Sequence, residues 1–457
     1  MLDFFTKIDD FVWGPPLLVL LVGTGIYLTI RLGLLQVFRL PKAFKLIFAE
    51  DKGEGDISSF AALATALAAT VGTGNIVGVA TAIGTGGPGA LFWMWMAACF
   101  GMATKYAEGL LAIKYRTKDD NGQVSGGPMY YIINGITGRL KVIAKPLAYF
   151  FALAGILVAL LGIGTFSQVN SITGSLQNSF NWSPKVVSII IAIFVAIIVF
   201  GGIQSISKVS EKIVPFMAGL YILAALSVIA INYQNLVPTI VAIFKSAFTP
   251  TAAVGGFTGA TVMQAIRLGV ARGVFSNESG LGSAPIAAAA AKTHEPVEQG
   301  LISMTGTFID TIIICTLTGL SILITGQWSV KGLEGAAVTQ SAFSSVFGNI
   351  GSLVLTLSLA LFAFTTILGW SYYGERCVEF VFGTKGITIY RCIFVFMVAL
   401  GGYLQLQVIW KIADIVNGLM ALPNLIALLV LSPIIIKETK SYFKRMAGVK
   451  NHVDASK

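Results

Sequence analysis

Long apolar stretches alternate with short polar segments along the whole chain. Each stretch is about 20 residues long, which is the length that a helix needs to cross the hydrocarbon core of a bilayer. We therefore predict an all-α integral membrane protein with eleven transmembrane helices. The predicted spans are 16–34, 58–84, 89–114, 144–172, 184–203, 211–232, 259–290, 301–326, 349–375, 386–404 and 411–434. The connections 235–255 and 330–346 are candidates for short interfacial helices.

Two of these spans contain glycine-rich polar interruptions near their middle. Val-Gly-Thr-Gly-Asn occupies 71–75 in the first, and Phe-Ser-Asn-Glu-Ser occupies 275–279 in the second. Glycine inside a helix costs about 1 kcal/mol relative to alanine, and irregular backbone at membrane depth is tolerated only where it is buried in protein or lines a polar cavity. We predict that both helices break there and that the freed backbone groups bind a ligand. The alternative is a close-packing face of small residues.

The two interrupted spans lie five spans apart, which is typical of a transporter built from inverted repeats. The prediction is a first transmembrane helix with a basic cytoplasmic loop in 1–56 and a ten-helix transport core in 57–434. The core divides into a first repeat, 57–232, and a second repeat, 259–434. A basic cytoplasmic tail follows in 435–457. Spacing and glycine content support the repeat, because the two halves show no strong residue identity.

Composition and charge agree with a membrane protein. Hydrophobic residues make up 55% of the chain and charged residues 11%, against about 25% charged residues in soluble domains. Most of the basic residues fall in one alternating set of loops, so the positive-inside rule predicts a multi-pass protein of the cell membrane with its N-terminus outside and its C-terminus in the cytoplasm. The net charge of +10 is then a topology signal, and we expect no nucleic-acid partner. The opposite set of loops carries only Lys7, Lys185, Lys245, Lys331 and Lys411.

The predicted spans show no convergent set of a nucleophile with a base, or of metal ligands, that an intramembrane enzyme would need. The four cysteines are scattered through apolar segments without a metal-binding spacing, and the two histidines, His294 and His452, lie far apart in polar stretches. We therefore predict that the protein is not an enzyme. Two function classes remain open. The protein is either a carrier, or a channel or facilitator in which the glycines line a pore.

Three motifs resemble one known family. Gly-Gly-Pro-Gly-Ala-Leu-Phe-Trp-Met-Trp-Met begins at Gly86, and the interruptions read Val-Gly-Thr-Gly-Asn and Phe-Ser-Asn-Glu-Ser-Gly-Leu-Gly. These motifs resemble the alanine or glycine:cation symporters, the sodium:alanine symporter family. The resemblance covers the ten-helix core and implies a leucine-transporter-like fold that imports alanine or glycine together with sodium or protons. The implied partners are a small neutral amino acid, Na⁺ and the lipid bilayer, with one chain as the functional unit.

A small zwitterion needs donors for its carboxylate and acceptors for its ammonium group. Backbone N–H groups at the first interruption suit the carboxylate, and carbonyls near 272–275, with the side-chain amides of Gln168 and Asn277, suit the ammonium. The implied fold turns Gln168, Thr366 and Trp370 toward the substrate, and large aromatic residues limit its size. The predicted substrate-binding residues are Gly72, Thr73, Gly74, Asn75, Phe166, Gln168, Gly273, Phe275, Ser276, Asn277, Thr366 and Trp370.

A sodium ion prefers oxygen ligands, and the sequence offers two adjacent hydroxyls beside released carbonyls. This arrangement resembles the shared cation site of the implied fold. The predicted ligands are Ala68, Val71, Phe362, Thr365 and Thr366. The alternative for the Thr-Thr pair is hydrogen bonding within its own helix. Glu278 and Asp310 stay candidates for proton coupling, and Arg272 for a gate.

Overall fold

The computed structural model describes residues 2–51, 53–251, 259–403 and 407–454, and these are almost entirely helical. Three stretches of the predicted organisation lie outside the described residues. They are 252–258 before the second repeat, 404–406 within it and 455–457 in the tail. A two-stranded hairpin, β1 (Thr117–Lys118) with β2 (Val124–Ser125), interrupts the helices. The helices are α1 Leu2–Val12, α2 Pro15–Arg31, α3 Leu35–Phe38, α4 Leu40–Ile47, α5 Ser59–Thr70, α6 Val79–Gly86, α7 Gly89–Lys114, α8 Pro128–Gly135, α9 Lys141–Leu161, α10 Phe166–Phe180, α11 Pro184–Val199, α12 Gly202–Ile231, α13 Leu236–Phe248, α14 Val262–Asn277, α15 Ala284–Ala289, α16 Pro296–Thr307, α17 Thr316–Ile324, α18 Ala336–Phe347, α19 Asn349–Phe382, α20 Gly386–Leu400, α21 Gln407–Val430 and α22 Ser432–Asp454.

Each predicted span overlaps one or more helices of the described residues. By length and apolar composition, the described residues contain five helices able to cross a membrane, or seven when each of two bent pairs is counted as one span. The apolar helices α11 and α20 are shorter, with 16 and 15 residues. The all-helical membrane class is therefore confirmed, while the count of eleven spans and the inverted repeat stay predictions.

The first predicted break is present between α5 and α6. Ser58 caps α5 by accepting the Ala61 N–H at 3.0 Å, and the helix ends at Thr70 because Val71 turns to an extended conformation with ψ 91°. A π-helical turn, Gly74–Gly78, then leads into α6. The two halves are bent by 52°, so the glycines at 72 and 74 lie where the chain changes direction.

The second predicted break is also present, but it begins later than the sequence suggests. Helix α14 continues to Asn277, and Glu278 ends it in the left-handed conformation with φ 56°. Gly280 and Gly282 follow with φ 87° and 84°, which glycine adopts readily, and α15 begins at Ala284. The placement of the helix end near Phe275 was wrong, because the motif glycines that break the chain come after the polar residues.

Three features were not predicted. The predicted span 144–172 is interrupted at Gly162–Thr165, between α9 and α10, so that Gln168 lies in the first turn of a new helix. A second π-helical stretch, Phe308–Cys315, joins α16 to α17. The predicted tail forms the long helix α22, which packs on the rest of the protein through Tyr106–Thr439 and Lys114–Glu438 hydrogen bonds of 2.6 and 2.7 Å.

Helix α7 lies at the centre of the helix packing. Several glycines on neighbouring helices allow those helices to approach α7 closely. A Cβ on Gly269 of α14 would overlap the Ala90 carbonyl of α7, and one on Gly300 of α16 would lie 2.7 Å from the Tyr106 carbonyl. At these two positions the glycines allow close helix packing. The glycines at the two breaks have other surroundings, which are described with the site below.

Candidate functional site

The first break meets two other helices at Gly72. A Cβ added to Gly72 would overlap Thr366 Oγ1 of α19 and lie 3.7 Å from Gln168 Oε1 of α10. Gln168 is 1% exposed, and its Oε1 has no hydrogen-bond partner among the described residues. A buried acceptor without a donor is costly, so this oxygen is suited to an ammonium group of a ligand.

The same break faces the end of α14. A Cβ on Gly74 would lie 3.1 Å from Ser276 Cα and 3.3 Å from Phe275 Cδ1. Residues about 200 positions apart in the chain are thus adjacent, as the prediction of a shared site requires. The structure brings together Gly72, Gly74, Gln168, Phe275, Ser276 and Thr366 of the predicted substrate-binding residues.

Of the backbone N–H groups of residues 72–75, which were predicted to be free for the carboxylate, two are already paired. The Gly72 N–H donates to Asn75 Oδ1 at 2.8 Å, and the Asn75 N–H donates to the Gly72 carbonyl at 3.3 Å. The N–H groups of Thr73 and Gly74 have no such acceptor in the described part of the chain. Only these two N–H groups, at the start of the π-helical turn, are therefore suited to a carboxylate.

Asp310 connects the two broken helices. Its fully buried carboxylate accepts hydrogen bonds from Asn75 Nδ2 at 2.7 Å, Ser276 Oγ at 2.9 Å and Thr311 Oγ1 at 2.7 Å. From the sequence alone, this residue was a candidate only for proton coupling. Its partners on both breaks indicate a structural role beside the site, and the polar position within an apolar span was the signal.

Two other predicted residues are held by the protein itself. Asn277 donates from Nδ2 to Thr311 Oγ1 at 3.0 Å and accepts the Ser279 N–H at 2.9 Å. Gly273 lies inside α14, where a Cβ would be 3.4 Å from Met94 Cα. Neither residue presents the free amide or carbonyl that the sequence analysis assigned, because α14 does not end at 272–275.

The three aromatic residues predicted to limit substrate size occupy different surroundings. Phe275 lies at the first break, and Phe166 is buried at the start of α10. Trp370 is also buried and donates its indole N–H to Glu278 Oε1 at 3.0 Å. Trp370 therefore supports the second break as well as filling space on the face that it shares with Thr366.

Helix α19, which carries three of the predicted sodium ligands, crosses the end of α5, which carries Ala68. A Cβ on Gly369 would be 2.5 Å from Ala69 Cβ, one residue after Ala68. Thr365 and Thr366 both donate to the Phe362 carbonyl at 3.0 Å, which is the alternative that the sequence analysis left open. Both hydroxyl oxygens keep lone pairs for a cation, whereas the Phe362 carbonyl is free only if those protons turn away.

Hydrogen bonds join the segment before α5 to the segment after α15; we call this contact the Arg116 fastening. The N–H groups of Asp56 and Ile57 donate to the Ala290 carbonyl at 2.9 and 3.2 Å. Arg116 adds hydrogen bonds of 2.7 to 2.8 Å to the carbonyls of Glu54, Ala289, Ala291 and Thr293. Burial raises the pKa of the Asp56 carboxyl above its ordinary value. This fastening joins one half of each broken helix and was not predicted.

A cavity of about 260 Å³ approaches the site from the opposite ends of those helices. It is bordered by Phe275, and half of its lining residues are charged residues of α1, α14 and α21. Arg267 forms an ion pair of 2.5 Å with Asp10 across it, and the Arg272 guanidinium lies 5.6 Å from the centre of the Phe275 ring. Phe275 borders both this cavity and the first break, and Arg272 lies beside it.

Comparisons with known proteins agree with this architecture. The profile of the sodium:alanine symporter family matches residues 1–455. An uncharacterized transporter of Haemophilus influenzae is 58% identical over 451 residues, which cover 98% of this chain and 97% of that protein. The sodium/alanine symporter AgcS of Methanococcus maripaludis is 51% identical over 443 residues, or 95% of this chain and 96% of that protein.

A solved structure shows the fold. The crystal structure of MhsT in complex with L-phenylalanine matches with a TM-score of 0.50 and 14% identity, over 84% of this chain and 98% of that chain. The likeness concerns the fold alone, which is leucine-transporter-like. Because the family profile covers nearly the whole chain and the relatives match over nearly their full lengths, this protein belongs to the sodium:alanine symporter family of multi-pass membrane transporters and is not an enzyme.

Proposed function

We propose that this protein is a secondary active symporter that imports alanine and glycine together with sodium. The convergence of Gly72, Gln168 and Thr366 at the first break is the observation that carries the proposal. The N–H groups of Thr73 and Gly74 take the substrate carboxylate, and Gln168 Oε1 takes its ammonium. The sodium/alanine symporter AgcS supports alanine as the substrate class.

The remaining site residues shape the pocket in this proposal. Phe166, Phe275 and Trp370 limit the side chain of the substrate to about one methyl group. Because one methylene changes binding by about 1–3 kcal/mol, glycine and serine compete weakly and are not excluded. Asn75 and Ser276 act through Asp310, which holds the two breaks next to each other by accepting a hydrogen bond from each.

Sodium binds beside the substrate in this proposal. The ligands are the Ala68 and Val71 carbonyls and the two threonine hydroxyls, with the Phe362 carbonyl joining when the hydroxyl protons turn toward solvent or substrate. One positive charge moving through 100 mV supplies about 2.3 kcal/mol, and a tenfold sodium gradient supplies about 1.4 kcal/mol. Together they support roughly 500-fold accumulation of a neutral amino acid.

Alternating access follows from the two ends of the broken helices in this proposal. The charged cavity at Phe275 is the outer entrance, and the Arg116 fastening closes the cytoplasmic side. The N-terminus then lies outside and the C-terminus inside, with eleven spans, an inverted repeat in 57–232 and 259–434, and one chain as the functional unit. Labelling single cysteines at the exposed residues Asp120 and Phe248 with an impermeant maleimide tests this orientation, because Phe248 should react from outside and Asp120 should not.

Uptake into proteoliposomes tests the function. Labelled alanine should accumulate when a sodium gradient is imposed and should not accumulate with a proton gradient alone. Accumulation with protons alone would favour the proton-coupled alternative, in which Asp310 or Glu278 carries the proton. Flux that ignores both gradients would favour a channel or facilitator.

The hydroxyl of Thr366 should be needed for sodium affinity. Thr366→Ala removes one proposed ligand, so we expect the sodium concentration for half-maximal uptake to rise by about tenfold or more. Thr366→Ser keeps the hydroxyl and should stay close to the parent. Equal sodium dependence in all three proteins would remove Thr366 from the site.

The ring of Trp370 should control substrate size. Trp370→Ala opens space and should let larger side chains, such as that of valine, compete with labelled alanine. Trp370→Phe loses the hydrogen bond to Glu278 but keeps a ring, so it should weaken uptake without widening selectivity. Unchanged competition profiles in the alanine variant would contradict the assignment.

A further inference from the structure

A small cavity lies between the half-helices α5 and α15, behind the transport site. Three of its polar lining groups have an atom without a hydrogen-bond partner among the described residues: Lys105 Nζ, Glu108 Oε2 and Gln299 Oε1. Their side chains are 3%, 0% and 1% exposed. Three unpaired polar atoms around one buried space are costly, and none belongs to the substrate or sodium site described above.

The volume and the chemistry of this cavity fit one water molecule. It offers about 20 Å³ to the centre of a water molecule, and a buried water requires about 10–15 Å³ and typically makes about three hydrogen bonds. A water accepts from the Lys105 ammonium and donates to the Glu108 carboxylate and the Gln299 amide oxygen, so all three groups are satisfied. We propose that a single bound water bridges these residues and makes Lys105 the counter-charge that positions Glu108.

The position of Glu108 explains why this counter-charge matters. Its other oxygen, Oε1, accepts the Gly280 N–H at 3.1 Å and Asn424 Nδ2 at 2.7 Å. Asn424 Nδ2 also donates to the Gly280 carbonyl at 2.9 Å. Glu108 therefore holds the break between α14 and α15 at Gly280. One carboxylate oxygen fixes the break, while the other, Oε2, has no partner among the described residues.

Lys105 also balances other buried acids. Glu278, at the start of the same break, and Asp310, between the two breaks, both lie within electrostatic range of its ammonium group. An uncompensated charge inside a membrane protein is expensive. Glu278 and Asp310 keep their own hydrogen-bond donors when Lys105 is removed. The loss therefore falls mainly on Glu108, and the Gly280 segment that Glu108 fixes loses its support.

Charge compensation between two substitutions tests the inference. Lys105→Met and Glu108→Gln should each lower the initial rate of sodium-driven alanine uptake by about tenfold or more. The double variant carries neither charge, so it should recover to within about threefold of the parent. A role of Lys105 in packing alone would not be rescued by Glu108→Gln. Lys114→Met is the matched control on α7, because this lysine is half-exposed in a surface ion pair.

This inference depends on the proposed function only for the uptake assay. Two other readouts, the melting temperature and a density map, test it independently of transport. The parent protein's uptake tests the function by itself. The melting temperatures of the purified proteins should fall in the single variants and recover in the double variant, whatever the substrate. A map from electron cryo-microscopy at a resolution that shows ordered water should contain one water bridging the three side chains. Parent-like Lys105→Met, absence of rescue, or a map without this water would each overturn the inference.

Discussion

Gly72→Ala should lower the initial rate of sodium-driven alanine uptake by about 100-fold, because the added methyl group overlaps Thr366 Oγ1. Thr366 is fixed on α19 and Gly72 at the turn of the first break, so neither moves away at low cost. Overpacking a tight site costs about 1–3 kcal/mol, and about 2.7 kcal/mol corresponds to a 100-fold change in rate. The measurement is uptake of labelled alanine into proteoliposomes at matched protein content.

Gly78→Ala is the control for this substitution. Gly78 lies in the π-helical turn after the same break, and a Cβ there meets no atom within 4 Å. The variant should therefore transport like the parent. If both alanine variants transport equally well, the close approach of Gly72 to Thr366 is not part of the site.

Asp310→Ala should abolish measurable uptake and lower thermal stability. The substitution leaves Asn75 Nδ2, Ser276 Oγ and Thr311 Oγ1 without their carboxylate acceptor. Removing one partner from a buried charged network costs about 3–5 kcal/mol, and the loss falls on both broken helices at once. Uptake and melting temperature of the purified variant measure the two effects. Asp120→Ala is the control, because Asp120 is exposed in the β1–β2 turn.

Asp310→Asn separates the structural role from proton coupling. The carboxamide keeps one acceptor oxygen but turns an NH₂ group toward hydrogen-bond donors, so we expect uptake between those of the parent and Asp310→Ala. Under the proposed sodium coupling, the residual uptake should still require sodium. Parent-like uptake in Asp310→Ala would show that the network does not hold the breaks together.

Buried partners explain why Asn75 matters although its backbone N–H is not free. Its side chain accepts the Gly72 N–H and donates to Asp310, so one amide orients the first break and joins it to the second. A direct contact of Asn75 with the ligand stays a prediction. Its observed hydrogen bonds orient the backbone that carries the Thr73 and Gly74 N–H groups.

The amino-acid sequence alone determined the membrane class, the family and the existence of both broken helices. The membrane class and the breaks depend on local quantities, namely apolar length and the weak helix propensity of glycine. The family was indicated by the resemblance of three motifs. The motif around Gly72 also indicated the region where the first break meets α10, α14 and α19, since its glycines leave room for neighbouring helices.

The tertiary structure decided which groups are free and which are already paired. The pairs Asn75–Asp310, Trp370–Glu278 and Glu108–Gly280 join residues 92 to 235 positions apart. No local pattern shows such pairing, because it depends on how separate helices pack. Only the tertiary structure likewise decided the helix end at Asn277 and the interruption before Phe166. The chain can break at several glycines, and contacts from other helices select among them.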